Sequence, residues 1–290
     1  MRSEGQGKTM RSFIAAVIVG VALAFASDPP PPSEAPAGFD DQSNGMVDDA
    51  THQADREKFD ETEAVDDGLG PLYNAQACRE CHQNPRSGGA SQITELRVGH
   101  RGPDGRFRNS DIPIAHGGEI ISGRSLVNDR AICPSAAFPD TEIQERVPET
   151  ETIRARRLSV NLLGDGFVEA VADQAFIDIA RRQCQRTHGE ICGQVLRVPI
   201  VEAAGHTGVG RFGWKDQHAS LLSFSGDAYL NEMGITSRLF PDEVTKLCLP
   251  LRSQTTSPVP TGSMTLTTLL ASFAPRRHSP AMRSFRKRRR

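Results

Sequence analysis

Apolar positions along this chain change rhythm several times, and each rhythm predicts an element. Residues 13 to 26 ("FIAAVIVGVALAFA") form an unbroken apolar run with no polar face. Within "GFVEAVADQAFIDIARRQC", Phe167, Val168, Val171, Phe176, Ile179 and Ala180 fall at helical spacing. A second helix is predicted from Lys215 to Asn231, with Leu221, Leu222, Phe224 and Leu230 inward. A third is expected over Ala54 to Val65, and the alternating charges of residues 149 to 158 suit a fourth. Between Asp66 and Ser125, glycine and proline interrupt every long period. There "TELRVGH" and "RFRNSD" flank the turn "GPDG", which predicts short strands. "VLRVPIV" is a further strand, closed by "AAGHTGVG".

The first apolar run has fourteen residues, short of the roughly 20 that cross a bilayer. Arg2, Lys8 and Arg11 precede it and Ala24-Phe25-Ala26 closes it in a small-x-small pattern, so residues 1–26 are expected to be a signal peptide. The expected compartment is the periplasm, with membrane contact only through that segment before cleavage. Residues 27–38 are a proline-rich linker. Asp40, Gln42, Asn44 and Gly45 mimic the front of a Ca²⁺ loop, but Thr51 stands where a bidentate Glu is required, so a polar turn is expected.

Composition alters this picture mainly through charge. The formal net charge is −2, yet the segment from Val244 onward holds ten Lys or Arg and no acid, leaving a net −12 for residues 1–243. An acidic body implies a docking partner with a basic face. Residues 39–248 are expected to form one domain, followed by a basic low-complexity tail, 249–290. Two explanations of the tail stand: a surface for nucleic acid or acidic lipid, or a slipped reading frame. The second is preferred, so no nucleic-acid partner is expected.

Chemistry concentrates in Cys78-Arg79-Glu80-Cys81-His82. Two thiols one helical turn apart can add to the vinyl groups of one haem while the next imidazole binds the iron, the c-type attachment pattern. A zinc site needs a second close ligand pair, and a thioredoxin-like motif needs a βαβ setting; the sequence offers neither. Cys78 and Cys81 are therefore expected to hold haem c, one per chain, with His82 as proximal ligand. Met233, in "NEMGIT" just past a helix end, is the candidate sixth ligand, and His100 the alternative; His116, His206 and His218 are also possible donors. Gly208, Gly210 and Gly213 match a dinucleotide fingerprint with Glu232 downstream, but no second strand follows. A tight turn presenting Trp214 near the haem accounts for them better. Cys184 with Cys192, and Cys133 with Cys248, are one of three disulfide pairings.

"DGLGPLYNAQACRECH", "RVPIVEA" and "VGRFGWKDQHASLLSFSGDAYLNEMGITSRLFP" resemble the di-haem oxidoreductases known as thiol oxidoreductases, distant relatives of bacterial di-haem cytochrome c peroxidases. The likeness spans about residues 38 to 248. It implies a mainly α, cytochrome c-like haem domain with β-hairpin insertions, and a role for Glu169 as distal acid–base if peroxide is the substrate. Such proteins carry a second Cys-x-x-Cys-His, which this chain lacks. The expectation is thus an exported cytochrome that transfers electrons to or from an unidentified redox partner protein. The alternatives are a haem-dependent peroxidase-like oxidoreductase, or a basic-tailed binding protein with a vestigial haem site.

Overall fold

The computed structural model describes residue 43 and residues 46–113, 120–132 and 143–243. The expected signal peptide, linker and basic tail, most of the Ca²⁺-like turn, and His116, Cys133 and Cys248 lie outside the described residues.

The first helix, α1 (Asp49–Asp60), begins well before the expected Ala54. Asp48 sets the start, its carboxylate accepting from the Thr51 N–H at 2.8 Å and so satisfying one orphan donor of the first turn. A short strand, β1 (Leu72–Tyr73), follows. Next comes a single helical turn, α2 (Cys78–Cys81).

A five-stranded antiparallel sheet is built around β2 (Thr94–Arg101). It pairs with β3 (Phe107–Pro113), and β3 pairs in turn with β4 (Ile120–Arg124). β2 also pairs with β5 (Leu126–Val127) and β7 (Ile153–Leu158), while β6 (Arg130–Ala131) joins β1. The β2–β3 hairpin turns where "GPDG" predicts it. Its register brings Phe107 over Gly99: a Cβ at Gly99 would lie 2.5 Å from the Phe107 ring, so glycine lets the ring pack there.

Beyond the sheet run α3 (Asp165–Glu169), α4 (Asp173–Arg186), the hairpin β8 (Arg197–Pro199) with β9 (Thr207–Val209), and α5 (Leu221–Met233). Ser220 caps α5, its hydroxyl accepting from the Ser223 N–H at 3.0 Å, so the helix starts later than the expected Lys215. The stripe from Phe167 to Ala180 is divided between α3 and α4.

This architecture corrects the expectation of a mainly α fold: 29% of the described residues are helical and 21% lie in strands, in several antiparallel sheets. Residues 149–158, expected as a helix, supply β7 instead, and its six residues pair with β2 from Thr94↔Leu158 to Gly99↔Ile153. The charges of "IRARRL" permit either conformation, and the open side of β2 offers a ladder that decides between them.

Apolar clusters form among the described residues, and two of them bear on these elements. One gathers Val98, Ile112 and Val127 on one face of the large sheet. The other joins Phe59, Leu69, Leu162, Tyr229 and Met233, with Cys78 packed against it.

Candidate functional site

The C-terminal end of α5 is locked against the chain that leads into α2. Its last carbonyls lack helical partners, and the Gly70 N–H donates to Met233 O at 2.9 Å and the Asn74 N–H to Glu232 O at 2.7 Å. The helix ends at Gly234, in the left-handed region with φ 69°, where a Cβ would meet the Gly70 carbonyl oxygen at 2.6 Å. These contacts hold one face of α5 against the Cys78–His82 segment.

Between them lies an apolar cavity enclosing about 610 Å³ free of protein atoms, its open mouth included. Phe59 of α1, Leu162, and Phe224, Ala228, Tyr229 and Met233 of α5 supply its apolar walls. Cys78, Cys81 and His82 line it as well, and Glu95 and Glu232 contribute carboxyls. The α5 positions repeat at three and four residues, so they share one helical face.

α2 places both thiols on one side. The His82 N–H donates to Cys78 O at 3.0 Å, closing a single turn. The Glu80 carboxylate accepts from the Gln76 N–H at 3.2 Å and so steadies the start of that turn. Cys78 and Cys81 are free thiols. Burial, with the Glu63 carboxylate adding to it, pushes Cys78 up to about 12. Burial likewise lifts Cys81 to about 11, with Glu232 and Glu95 adding to it. A reactive redox dithiol requires the opposite shift, toward thiolate.

His82 Nδ1 lies 2.9 Å from the carbonyl oxygen of Val160. That oxygen accepts only, so it selects the tautomer with hydrogen on Nδ1 and the lone pair on Nε2, the nitrogen that a metal would take. Burial holds the imidazole below its ordinary pKa, opposed by the backbone bonds to Val160 and Gly89. The ring also meets Phe59 edge-on, with centroids 6.4 Å apart.

The donor set favours a group that brings its own equatorial ligands. Among the described residues, no three His, Cys, Asp or Glu side chains are grouped to hold a bare metal ion. A porphyrin supplies four nitrogens and asks the protein only for axial donors, an apolar enclosure and, for covalent attachment, two thiols. The cavity offers an imidazole from the motif and a thioether from α5, together with both thiols. These residues fit haem c.

The carboxyls were not singled out by sequence reasoning, which met Glu232 only as part of the dinucleotide pattern. Glu232 is held above the ordinary carboxylate range by burial first and by the neighbouring Glu95 charge second. Arg97 opposes this, 2.6 Å from Glu95 and 3.6 Å from Glu232, as does Asn74, which donates to Glu232 at 3.3 Å. The signal for Glu232 was its place on the Ser225, Ala228, Tyr229 and Glu232 face; Glu95 sits in a strand whose register only the fold sets.

Other predicted residues lie elsewhere. His100 is bonded through Nδ1 to Glu151 at 3.1 Å and does not line the cavity. Glu169 accepts from the Leu221 N–H at 2.8 Å, closing the start of α5, and is also absent from the cavity wall. Trp214 is 54% exposed, its ring 5.6 Å from the Arg157 guanidinium, and so is not presented to the cavity. His218 Nε2 faces Asp227 at 3.3 Å. Gly208 lies in the antiparallel β8–β9 hairpin rather than a βαβ unit. The Cys184–Cys192 disulfide is present.

No family model matches this chain, and no curated protein or solved structure does so either.

Proposed function

We propose that this chain is a c-type cytochrome that transfers electrons through one covalently held haem. The observation that carries the reading is the His82 imidazole: Nδ1 is engaged by the Val160 carbonyl at 2.9 Å, and the ring lines an apolar cavity shared with two free thiols. Cys78 and Cys81 would hold the group by thioether bonds, His82 through Nε2, and Met233 from α5. Bound there, haem supplies a one-electron iron couple, and a His/Met ligand pair raises its potential.

The chain's own residues do the rest. Val160 fixes the tautomer and rotation of His82. Phe59, Leu162 and Tyr229 limit water at the site, which favours the less charged state of a bound redox centre. The α5 C-terminus, tied to Gly70 and Asn74, keeps Met233 against the cavity. Glu169, the residue offered for peroxide chemistry, is occupied at the start of α5. That engagement favours electron transfer over peroxide reduction.

The test is a pyridine haemochrome assay on protein secreted beside competent c-type attachment machinery. The expected result is one c-type haem per chain, lost in the Cys78→Ala, Cys81→Ala double variant. Colourless wild-type protein would overturn the reading. Low-spin ferric iron without peroxide turnover is expected; high-spin iron with turnover would replace the carrier by a peroxidase.

A further inference from the structure

The two axial donors, His82 and Met233, come from distant parts of the chain, yet one pair of strands reaches both. β2 and β7 pair from Thr94↔Leu158 to Gly99↔Ile153. Val160, just past the end of β7, supplies the carbonyl that orients His82. On β2, Arg97 reaches the residue that precedes Met233, its Nη2 lying 3.6 Å from Glu232 Oε1.

Strand register directs Arg97 toward α5. Its cross-strand neighbours are Ala155 of β7 and Leu126 of β5, which offer no charge. Glu95 precedes it by two residues on the same face, and its carboxylate accepts from Nε at 3.0 Å and Nη2 at 2.6 Å. Among the described residues, Glu95 and Glu232 are the acidic partners of Arg97. Glu232 is held on its other oxygen too, where Oε2 accepts from Asn74 Nδ2 at 3.3 Å. Asn74 is braced in turn, its Oδ1 accepting from the Asp129 N–H at 3.0 Å. Arg97 does not line the cavity, whereas Glu95, Glu232 and Met233 do.

A thioether is an uncharged, weak axial donor, so its hold on a metal depends on the backbone that presents it. Backbone donors already tie the carbonyls of Glu232 and Met233 to the chain leading into α2. Arg97 adds a tie to the sheet whose far strand leads to Val160. We infer that Arg97 is a positioning residue that acts through Glu232. It clasps the last turn of α5 to β2, keeps the Met233 sulfur on the iron, and so closes the sixth position to small ligands. This rests on the haem reading above.

The experiment uses the full haem-loaded chain in the ferric state, with cyanide as probe. The sulfur must leave before cyanide can enter, so the binding rate reads how often the last turn of α5 lets go. Arg97→Gln should raise that rate about tenfold, the effect of losing one charge-assisted hydrogen bond from a local clasp. It should also weaken the sulfur-to-iron charge-transfer band. Arg97→Lys keeps the charge without the planar fork and should fall between the two; it carries the test if the Gln variant does not fold. In a Met233→Leu background no sulfur remains to be held, and Arg97→Gln should add nothing. Asp48→Ala, which uncaps α1 instead, should bind cyanide at the wild-type rate. The inference fails if Arg97→Gln leaves the rate unchanged, accelerates binding equally without Met233, or is matched by Asp48→Ala. It fails equally if Met233→Leu alone alters neither the band nor the rate. Colourless wild-type protein sinks the haem reading, whereas coloured protein indifferent to Arg97 sinks only the clasp.

Discussion

Asp165 and Met233 show how single residues report on the fold. Burial, with Glu169 nearby, raises the Asp165 carboxyl from 3.8 to about 7. The folded chain therefore holds a proton that the unfolded chain releases, and the associated stability is full below pH 3.8 and lost as pH rises to about 7. Asp165→Asn should flatten denaturant-derived stability across that window and stabilise neutral pH by on the order of 1 kcal/mol, since the side chain remains partly solvated. Met233 separates packing from ligation. It is 4% exposed within the apolar cluster, so Met233→Ala should cost about 2–5 kcal/mol, whereas Met233→Leu should cost less than about 1.5. If the sulfur binds iron, Met233→Leu will nevertheless lower the reduction potential of loaded protein, measured by redox titration. The attachment pentapeptide was legible because its spacing is local. Val160 was not, since nothing in its own neighbourhood marks a carbonyl that meets an imidazole 78 residues away.

Among the elements, α5 depends most on its ends. Gly234→Ala forces a side chain into the left-handed region and toward the Gly70 carbonyl. It should cost about 2 kcal/mol or more in urea unfolding. Asp48→Ala, which removes the α1 cap, should cost about 1 kcal/mol. Helices were readable where apolar spacing coincided with a cap, but their limits were not: Ser220 and Asp48 moved both starts. The segment 153–158 was misread because three arginines in six residues carry little periodic burial, and the partner strand β2 provides the deciding hydrogen bonds.

At the scale of the molecule, Arg211 joins separate pieces. Its guanidinium is 6% exposed and meets the Asp173 carboxylate of α4, the Val171 carbonyl at 2.7 Å and the Val168 carbonyl of α3 at 3.2 Å. The Phe176 ring lies 4.6 Å away. Arg211→Ala leaves a carboxylate and several carbonyls short of a donor, so a loss of about 3–5 kcal/mol is expected. Lysine should not restore it, because one ammonium cannot reproduce the planar fork. Thermal melts of both variants check this. Haem loading adds a second global effect: protein made without attachment machinery should melt lower than loaded protein, because a group held only by the folded state stabilises it.

Taken alone, the order of residues determined the thiol pair one turn apart, the adjacent imidazole, the main amphipathic segments and the hairpin around "GPDG". All of these depend on spacing over a few residues, where backbone geometry leaves little freedom. Tertiary structure decided the balance of sheet and helix, the cavity between α5 and the motif, the engagement of His100 and Glu169 away from it, and the Val160 carbonyl that meets His82. Those features arise from contacts between distant segments, whose register and burial are chosen by the whole chain packing at once.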